Sequence, residues 1–150
     1  MSGNYYNIFY TDDDADDQEV FREVVADINE DIYIFTQSNG EELMEMLRNP
    51  PPNAHILFLD LNMPVMNGYE VLEKIRKSDK FKDLPVIVFS TSNDLDAINT
   101  TKKLGATLYV HKPGSYNEMK ATLRYLLTID WDNYKANSKD FVYKLQSTHP

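Results

Sequence analysis

The feature that most constrains the fold is a regular alternation of short apolar runs with amphipathic segments of helical length. The apolar runs cover residues 6–11, 31–37, 54–60, 85–90 and 107–111. The segments with helical periodicity cover residues 17–29, about 39–49, 67–78, 94–104 and about 115–128. In the first of these segments, Val20, Val24 and Ile28 recur at every fourth position, as on one face of a helix. The sequence therefore predicts five β-strands, each followed by a helix.

The run at residues 54–60 (AHILFLD) indicates how the strands are covered. It is almost continuously apolar, which is typical of a strand buried on both faces. Strands that alternate with helices favour a parallel sheet, and right-handed crossovers place helices on both of its faces. The predicted fold class is α/β: a doubly wound (βα)5 three-layer sandwich with a five-stranded parallel sheet, of the flavodoxin-like type. Ligands of such domains bind at the carboxyl ends of the strands.

Composition excludes several classes of protein. The 150 residues favour one domain, and the absence of cysteine excludes disulfides, cysteine catalysis and zinc-thiolate sites. The net charge of −9 argues against binding to nucleic acid or to an anionic membrane. Neither a signal peptide nor an apolar run of about 20 residues is visible in the sequence. We therefore expect a cytoplasmic protein with neither a nucleic-acid partner nor a membrane partner.

Chemically active side chains follow four of the predicted strands. Asp12 and Asp13 come after the first strand, Asp60 ends the third, Ser90 ends the fourth, and Lys112 follows the fifth. Three carboxylates at one edge of a sheet repel each other, and a cation with hard oxygen ligands, such as Mg²⁺, relieves that repulsion. The lysine would balance the remaining charge, and the hydroxyl could donate to a phosphoryl oxygen. Together these groups would stabilise a phosphoryl group in transfer to a carboxylate nucleophile.

Four segments of the sequence resemble the receiver (response-regulator) family of two-component signalling. They are YNIFYTDDDADDQEVF, LFLDLNMPVMNGYEVL with its D-x-x-M-P-x-M-x-G pattern, PVIVFSTSND and GATLYVHKP. The intervals of 30 residues from Asp60 to Ser90 and 22 from Ser90 to Lys112 are typical of the family. The resemblance covers about residues 5–128. No single segment is strong alone, but four segments in order and in register are.

The resemblance implies a division of the chain and a metal site. Residues 1–128 would form the receiver domain, and residues 129–150 a C-terminal extension that packs on the receiver or on a partner. Asp60 would be the phosphoacceptor. Mg²⁺ would be held by Asp12, Asp13 and Asp60, with a further ligand from the backbone carbonyl of Asn62. Trp131, Tyr134, Phe141, Val142 and Leu145 are among the residues of the extension that are apolar enough to pack against another surface.

The resemblance also implies roles around the phosphoryl group. Ser90 and Lys112 would contact that group, and Ser90 and Tyr109 would form the switch, with Tyr109 swinging inward on activation. The Lys112–Pro113 bond is expected to be cis. Thr91 departs from the family, where Ala or Gly is usual, and its branched side chain is expected to narrow access to the site.

The implied function is that of a stand-alone receiver. It would take a phosphoryl group from a histidine kinase or a phosphotransfer protein, depend on Mg²⁺, and act by altered binding to a downstream target protein. A second copy of the chain is a further candidate partner. We expect no enzymatic activity other than phosphorylation of the chain from a donor and its dephosphorylation. The lifetime of the phosphorylated form does not follow from the sequence, because Asn62 and Ser92 occupy positions that vary in the family.

Three other interpretations use some of the same residues. Asp12, Asp14 and Asp16 have the spacing of a calcium-binding EF-hand loop, but Asp17 stands where that loop requires glycine. A phosphatase of the haloacid-dehalogenase type also uses an aspartate nucleophile, but it needs a second aspartate where this chain has Asn62. A phosphate-independent pseudo-receiver that acts only as an interaction module stays open as the alternative.

Overall fold

The computed structural model describes residues 7–48, 54–134 and 140–144. The strands are β1 Asn7–Thr11, β2 Tyr33–Gln37, β3 Ile56–Leu59, β4 Val86–Ser90, β5 Leu108–His111 and β6 Val142–Tyr143. The helices are α1 Ala15–Ile28, α2 Gly40–Arg48, α3 Gly68–Lys77, α4 Leu95–Leu104 and α5 Tyr116–Leu126. The predicted first residue of β1 (Tyr6), the predicted end of α2 near Asn49, and Leu145 of the extension lie outside the described residues.

The strands form one parallel sheet in the order β2-β1-β3-β4-β5-β6. β1 lies between β2 and β3, with Ile8 opposite Ile34 on one side and Ile56 on the other. The predicted α/β fold class is confirmed. The sheet has one strand more than predicted, because the C-terminal extension contributes β6 beside β5.

The side chains of the strands alternate between two covered faces. Ile8 and Tyr10 of β1 point to a core formed with α1 and α5, whereas Phe9 points to a core formed with α2 and α3. A third, smaller cluster lies under α4 and contains Val88 of β4 and Tyr109 of β5. Since both faces carry helices, nearly every residue of the central strands is apolar, which explains the continuous apolar run of β3.

The helix ends show why the segments begin and stop where they do. Asn67 caps α3 in a capping box with Glu70, and Asp94 and Ser115 cap α4 and α5. Gly105 ends α4 in the left-handed conformation, at φ 99°, where a residue without Cβ is favoured. Within the described ranges, no helix is both long enough and apolar enough to cross a membrane.

The described part of the C-terminal extension lies on the receiver. Trp131 is 7% exposed, and its indole Nε1 donates to the carbonyl of Leu126 at the end of α5, at 3.0 Å. Further along, the amide of Tyr109 in β5 donates to the carbonyl of Phe141 at 2.9 Å. Phe141 is 4% exposed and packs on the Tyr109 ring, with 6.4 Å between the ring centroids. We call residues 141–143 together with β5 the C-terminal seam.

Candidate functional site

Three carboxylates meet at the carboxyl ends of β1 and β3. Asp12 and Asp60 are buried, while Asp13 is exposed. Each offers a carboxylate oxygen, and these oxygens lie within 4.8 Å of one another. The amide of Asp60 donates to the carbonyl of Thr11 at 2.9 Å, so the end of β3 is fixed against the end of β1. The structure thus brings together the three residues that the sequence predicts at this edge, which we call the carboxylate cluster.

Asp60 is held in an environment that disfavours its charge. Its pKa is raised from 3.8 to about 6, because burial and the neighbouring charges of Asp12 and Asp13 raise it by more than the charge of Lys112 lowers it. Burial and like charge therefore outweigh the attraction of the ammonium group. A cation placed among the three carboxylates would reverse this balance, and the all-oxygen donor set suits a hard cation such as Mg²⁺. The residues present fit the predicted metal site.

The loop after Asp60 is packed tightly against the phosphoacceptor candidate. The amide of Gly68 donates to the carbonyl of Leu61 at 3.0 Å. A Cβ on Gly68 would lie 2.4 Å from the carbonyl oxygen of Asp60 and 2.8 Å from the Leu61 Cα. The glycine of the D-x-x-M-P-x-M-x-G segment is therefore required by the close approach of α3 to β3. Val65 in the same loop is 73% exposed and has φ 69°, a conformation that is strained for a β-branched residue.

Asp12 is fixed by hydrogen bonds to both of its oxygens. Its Oδ2 accepts from the Tyr10 hydroxyl at 2.5 Å and from Lys112 Nζ at 2.6 Å, and its Oδ1 accepts from the Asp14 amide at 3.0 Å. Burial, and then the charge of Asp12, raises the pKa of Tyr10, so the phenol stays a protonated donor. Gln18 Nε2 donates to the Asp12 carbonyl at 2.6 Å and anchors the backbone.

Lys112 bridges two carboxylates. Its Nζ lies 2.6 Å from Asp12 Oδ2 and 2.9 Å from Asp17 Oδ2, and its side chain is 9% exposed. Burial alone would lower the pKa of Lys112, but the hydrogen bonds to Asp12 and Asp17 raise it, so the group remains an ammonium. The described residues contain no cis peptide bond, so the expectation of a cis Lys112–Pro113 bond is wrong. The bond has the trans form, which is the lower in free energy for most X-Pro pairs.

Ser90 and Tyr109 are connected through the backbone of Ser92. Ser90 is fully buried, and its Oγ accepts from the Ser92 amide at 3.1 Å. The Tyr109 hydroxyl donates to the Ser92 carbonyl at 2.6 Å, and the whole side chain is buried. Tyr109 therefore already points inward in this structure.

An open cleft of about 440 Å³ is lined by residues that follow β3 and β4 in the chain. Its lining includes Asn62, Tyr69, Ser92, Asp94 and Asp96. The side chain of Thr91, which was expected from the sequence to narrow access to the phosphoryl group, is exposed.

Sequence reasoning missed Tyr10, Asp17 and Gln18. The position of Tyr10 held a signal, because residues two apart on a strand point to the same face and Tyr10 precedes Asp12 by two. Asp17 and Gln18 lie in the first turn of α1, next to Asp14, which caps that helix by accepting from the amides of Asp16 and Asp17. The acidic run at residues 12–17 thus divides into metal-ligand candidates, a helix cap and a partner of Lys112.

Comparisons with known proteins agree with this geometry. The family model described as "Response regulator receiver domain" matches residues 8–124. Response regulator RR06 of Streptococcus pneumoniae is 32% identical over an alignment of 143 positions, and the match covers 84% of this chain and 64% of that protein. The chain therefore spans somewhat less than two thirds of the length of this relative.

Solved structures show the same architecture. The phosphorylated cyanobacterial phytochrome response regulator RcpA is 27% identical, with a TM-score of 0.76 over 81% of this chain and 91% of its own. A CheX–CheY complex from Borrelia burgdorferi that contains beryllofluoride and Mg²⁺ is 26% identical, with a TM-score of 0.69 over 82% of this chain and 88% of that chain.

Proposed function

This chain belongs to the response-regulator receiver family, and from that premise we propose that Asp60 accepts a phosphoryl group from a histidine kinase or a phosphotransfer protein. The observation that carries the proposal is the convergence of a buried Asp60 with Asp12 and Asp13, all within reach of one cation, and with the Lys112 ammonium beside them. The phosphorylated RcpA structure and the beryllofluoride complex of CheY, both similar in fold to this chain, support the same chemistry.

The metal in this proposal is Mg²⁺. Asp12, Asp13, Asp60 and the backbone carbonyl of Asn62 would hold it, and it would supply positive charge next to the transferred phosphoryl oxygens. Tyr10 and Gln18 keep Asp12 in place for this task, because they fix its carboxylate and its backbone. Gly68 lets α3 begin directly against the Asp60 backbone and so orients the acceptor.

In the transfer itself, a carboxylate oxygen of Asp60 attacks the phosphorus of the donor. The bond between phosphorus and the donor nitrogen breaks as the new bond between oxygen and phosphorus forms, and the electron pair stays with the imidazole. Asp60 must be ionised to act as the nucleophile, and a cation held by the carboxylate cluster would favour its carboxylate form. Lys112 would hydrogen-bond a phosphoryl oxygen, and the Ser90 hydroxyl would donate to another.

The output of the switch would be altered binding to a downstream target protein. A phosphoryl group that draws Ser90 would shift Ser92, which accepts from the Tyr109 hydroxyl at 2.6 Å. Tyr109 packs on Phe141 of the C-terminal seam, so the responding surface includes α4, β5, α5 and β6. Phosphorylation must favour one of two arrangements energetically, and the affinity for a target or for a second copy of the chain would follow the populations.

The proposal gives this chain no external small-molecule substrate. The groups around Asp60 would serve the phosphorylation and dephosphorylation of Asp60 itself. The rates of these two steps would decide how long the signal lasts.

The test is phosphorylation with acetyl phosphate and Mg²⁺, followed by phosphate-affinity electrophoresis and intact mass. We expect the wild type to gain one phosphoryl group and Asp60→Asn to gain none. Asp79→Asn, which removes an exposed carboxylate on the surface beyond α3, should be phosphorylated like the wild type. Identical behaviour of the wild type and Asp60→Asn would reject the proposal in favour of a phosphate-independent interaction module.

A further inference from the structure

We propose that Asp17 is a positioning residue for Lys112, holding its ammonium on the α1 side of the site until a phosphoryl group on Asp60 competes for it. The inference rests on the proposed function of Asp60. It assigns a role to a carboxylate that is neither a metal-ligand candidate nor the helix cap. The contact joins residues 95 positions apart in the chain and crosses from α1 to the end of β5.

The geometry of Lys112 shows where the ammonium is held. Its ion pairs within 4.0 Å, among the described residues, are with Asp12 and Asp17, at 2.6 and 2.9 Å. Asp60 is not among these partners, although the charge of Lys112 lowers the pKa of Asp60. The ammonium is therefore close enough to Asp60 to affect its pKa, but its ion pairs are with Asp12 and Asp17.

The two partners of Lys112 differ in how easily they release it. The Asp12 side chain is 1% exposed, so separating it from the ammonium would leave a buried charge without its partner. The Asp17 side chain is 39% exposed, and water can hydrate its carboxylate as soon as the ammonium leaves. When a phosphoryl group adds negative charge at Asp60, the contact to Asp17 is the one that breaks.

Removal of the Asp17 charge should therefore favour the phosphorylated arrangement. In Asp17→Asn the ammonium no longer leaves an ion pair in order to reach the phosphoryl group. A half-exposed ion pair contributes a free energy that corresponds to about a threefold to fivefold change in affinity. We expect beryllofluoride, in the presence of saturating Mg²⁺, to bind Asp17→Asn more tightly than the wild type by about that factor.

The matched control is Asp16→Asn. It removes the same charge one residue earlier on α1, from an exposed side chain outside the Lys112 contact. General electrostatic effects on an anionic ligand should appear in both variants, so the difference between them measures the contact with Lys112. Asp17→Glu keeps the carboxylate and should restore affinity close to that of the wild type.

A double-mutant cycle with Lys112→Met separates positioning from a structural role. In that background Asp17→Asn and Asp16→Asn should bind beryllofluoride equally, because no ammonium is left to be held. Binding can be followed by amide NMR shifts, and thermal unfolding of each variant checks its fold.

The outcomes distinguish the inference from the proposed function. Tighter binding in Asp17→Asn than in Asp16→Asn, lost in the Lys112→Met background, supports the inference. Equal affinities of the two variants, or weaker binding in Asp17→Asn, overturn it while wild-type binding leaves the function of Asp60 intact. Absence of beryllofluoride binding in the wild type, or equal binding in Asp60→Asn, overturns both.

Discussion

Asp60 and Phe141 are buried to a similar degree, at 7% and 4% exposed, yet burial acts on them in opposite directions. Burial of the Phe141 ring stabilises the fold by about 2 kcal/mol, as for other large apolar side chains. Burial of Asp60 disfavours its ionised form and raises its pKa to about 6. The carboxylate cluster therefore reduces stability until a cation arrives, whereas the C-terminal seam adds stability permanently.

The two regions are also in contact. Leu61, the residue after Asp60, lies in the same apolar cluster as Phe141, together with Val88, Ala97 and Tyr109. The packing of the C-terminal seam thus supports the backbone next to the carboxylate cluster. Burial that serves function and burial that stabilises the fold therefore occur close together in this protein, and mutations can separate their effects.

The largest expected loss of stability comes from a substitution next to the carboxylate cluster that removes no charge. Gly68→Ala places a Cβ 2.4 Å from the Asp60 carbonyl oxygen, where only backbone atoms could move aside. We expect a loss of about 3 kcal/mol in the free energy of unfolding, measured by urea denaturation. Gly114→Ala is the control, because its Cβ would meet no atom within 4 Å. Equal stability of the two variants would show that the close approach is relaxed in solution.

The next largest loss of stability comes from a substitution in the C-terminal seam. Phe141→Ala removes a buried ring from beside Tyr109 and should cost about 2–3 kcal/mol in the free energy of unfolding, toward the lower end of core Phe substitutions because the seam is peripheral. Phe141→Leu should keep most of this stability. A loss below about 1 kcal/mol in Phe141→Ala would mean that the ring contributes little to the native state.

A third substitution, in the carboxylate cluster, should raise the free energy of unfolding instead of lowering it. Because the folded pKa of Asp60, about 6, lies above its ordinary value of 3.8, the folded state holds this proton more tightly than the unfolded state. The contribution of Asp60 to stability is therefore lost as the pH rises from about 4 through about 6. Without divalent cations at pH 8, Asp60→Asn should be more stable than the wild type by about 2 kcal/mol.

Denaturation at several pH values checks this prediction. The gap between the two proteins should be small near pH 4 and reach its full size above about pH 6. Saturating Mg²⁺ should narrow or reverse it, because the metal binds the ionised cluster of the wild type. A gap that does not depend on pH would mean that Asp60 keeps an ordinary pKa.

The smallest effect concerns the start of the extension. Trp131→Phe removes the indole donor to the Leu126 carbonyl and should lower the free energy of unfolding by about 1 kcal/mol. Tyr134→Phe is the control, since it keeps the ring that packs 4.8 Å from Trp131. Equal stability of the two variants would indicate that water replaces the indole at the end of α5.

The main fold was predictable because each central strand is covered on both faces and each helix carries a clear periodicity. Helix starts at Asn67 and Asp94 and the left-handed end at Gly105 were readable from residue type alone. β6 could not be predicted, because its two residues, Val142 and Tyr143, are too few to show the alternation of apolar and polar side chains that marks a strand. Its position depends on the unpaired edge of β5, which is a property of the assembled sheet.

The candidate site was predictable to the extent that the sheet topology fixes it. Parallel strands bring their carboxyl ends together, so the convergence of Asp12, Asp13 and Asp60 followed from their positions after strands. The partnership of Lys112 with Asp17 did not follow, because it depends on how the first turn of α1 faces the end of β5. The family resemblance alone suggested a cis Lys112–Pro113 bond, and that expectation was wrong.

The short β6 also has a consequence for how copies of this protein behave at high concentration. Without it, β5 would form the outer edge of the sheet and present four residues of free backbone, three of them with buried side chains. Such an edge is a template for strand pairing between molecules and hence for aggregation. β6 replaces it with an edge of only two residues, and this shorter edge offers far less backbone to a neighbouring molecule. The extension thus protects the colloidal stability of the chain on this side of the sheet.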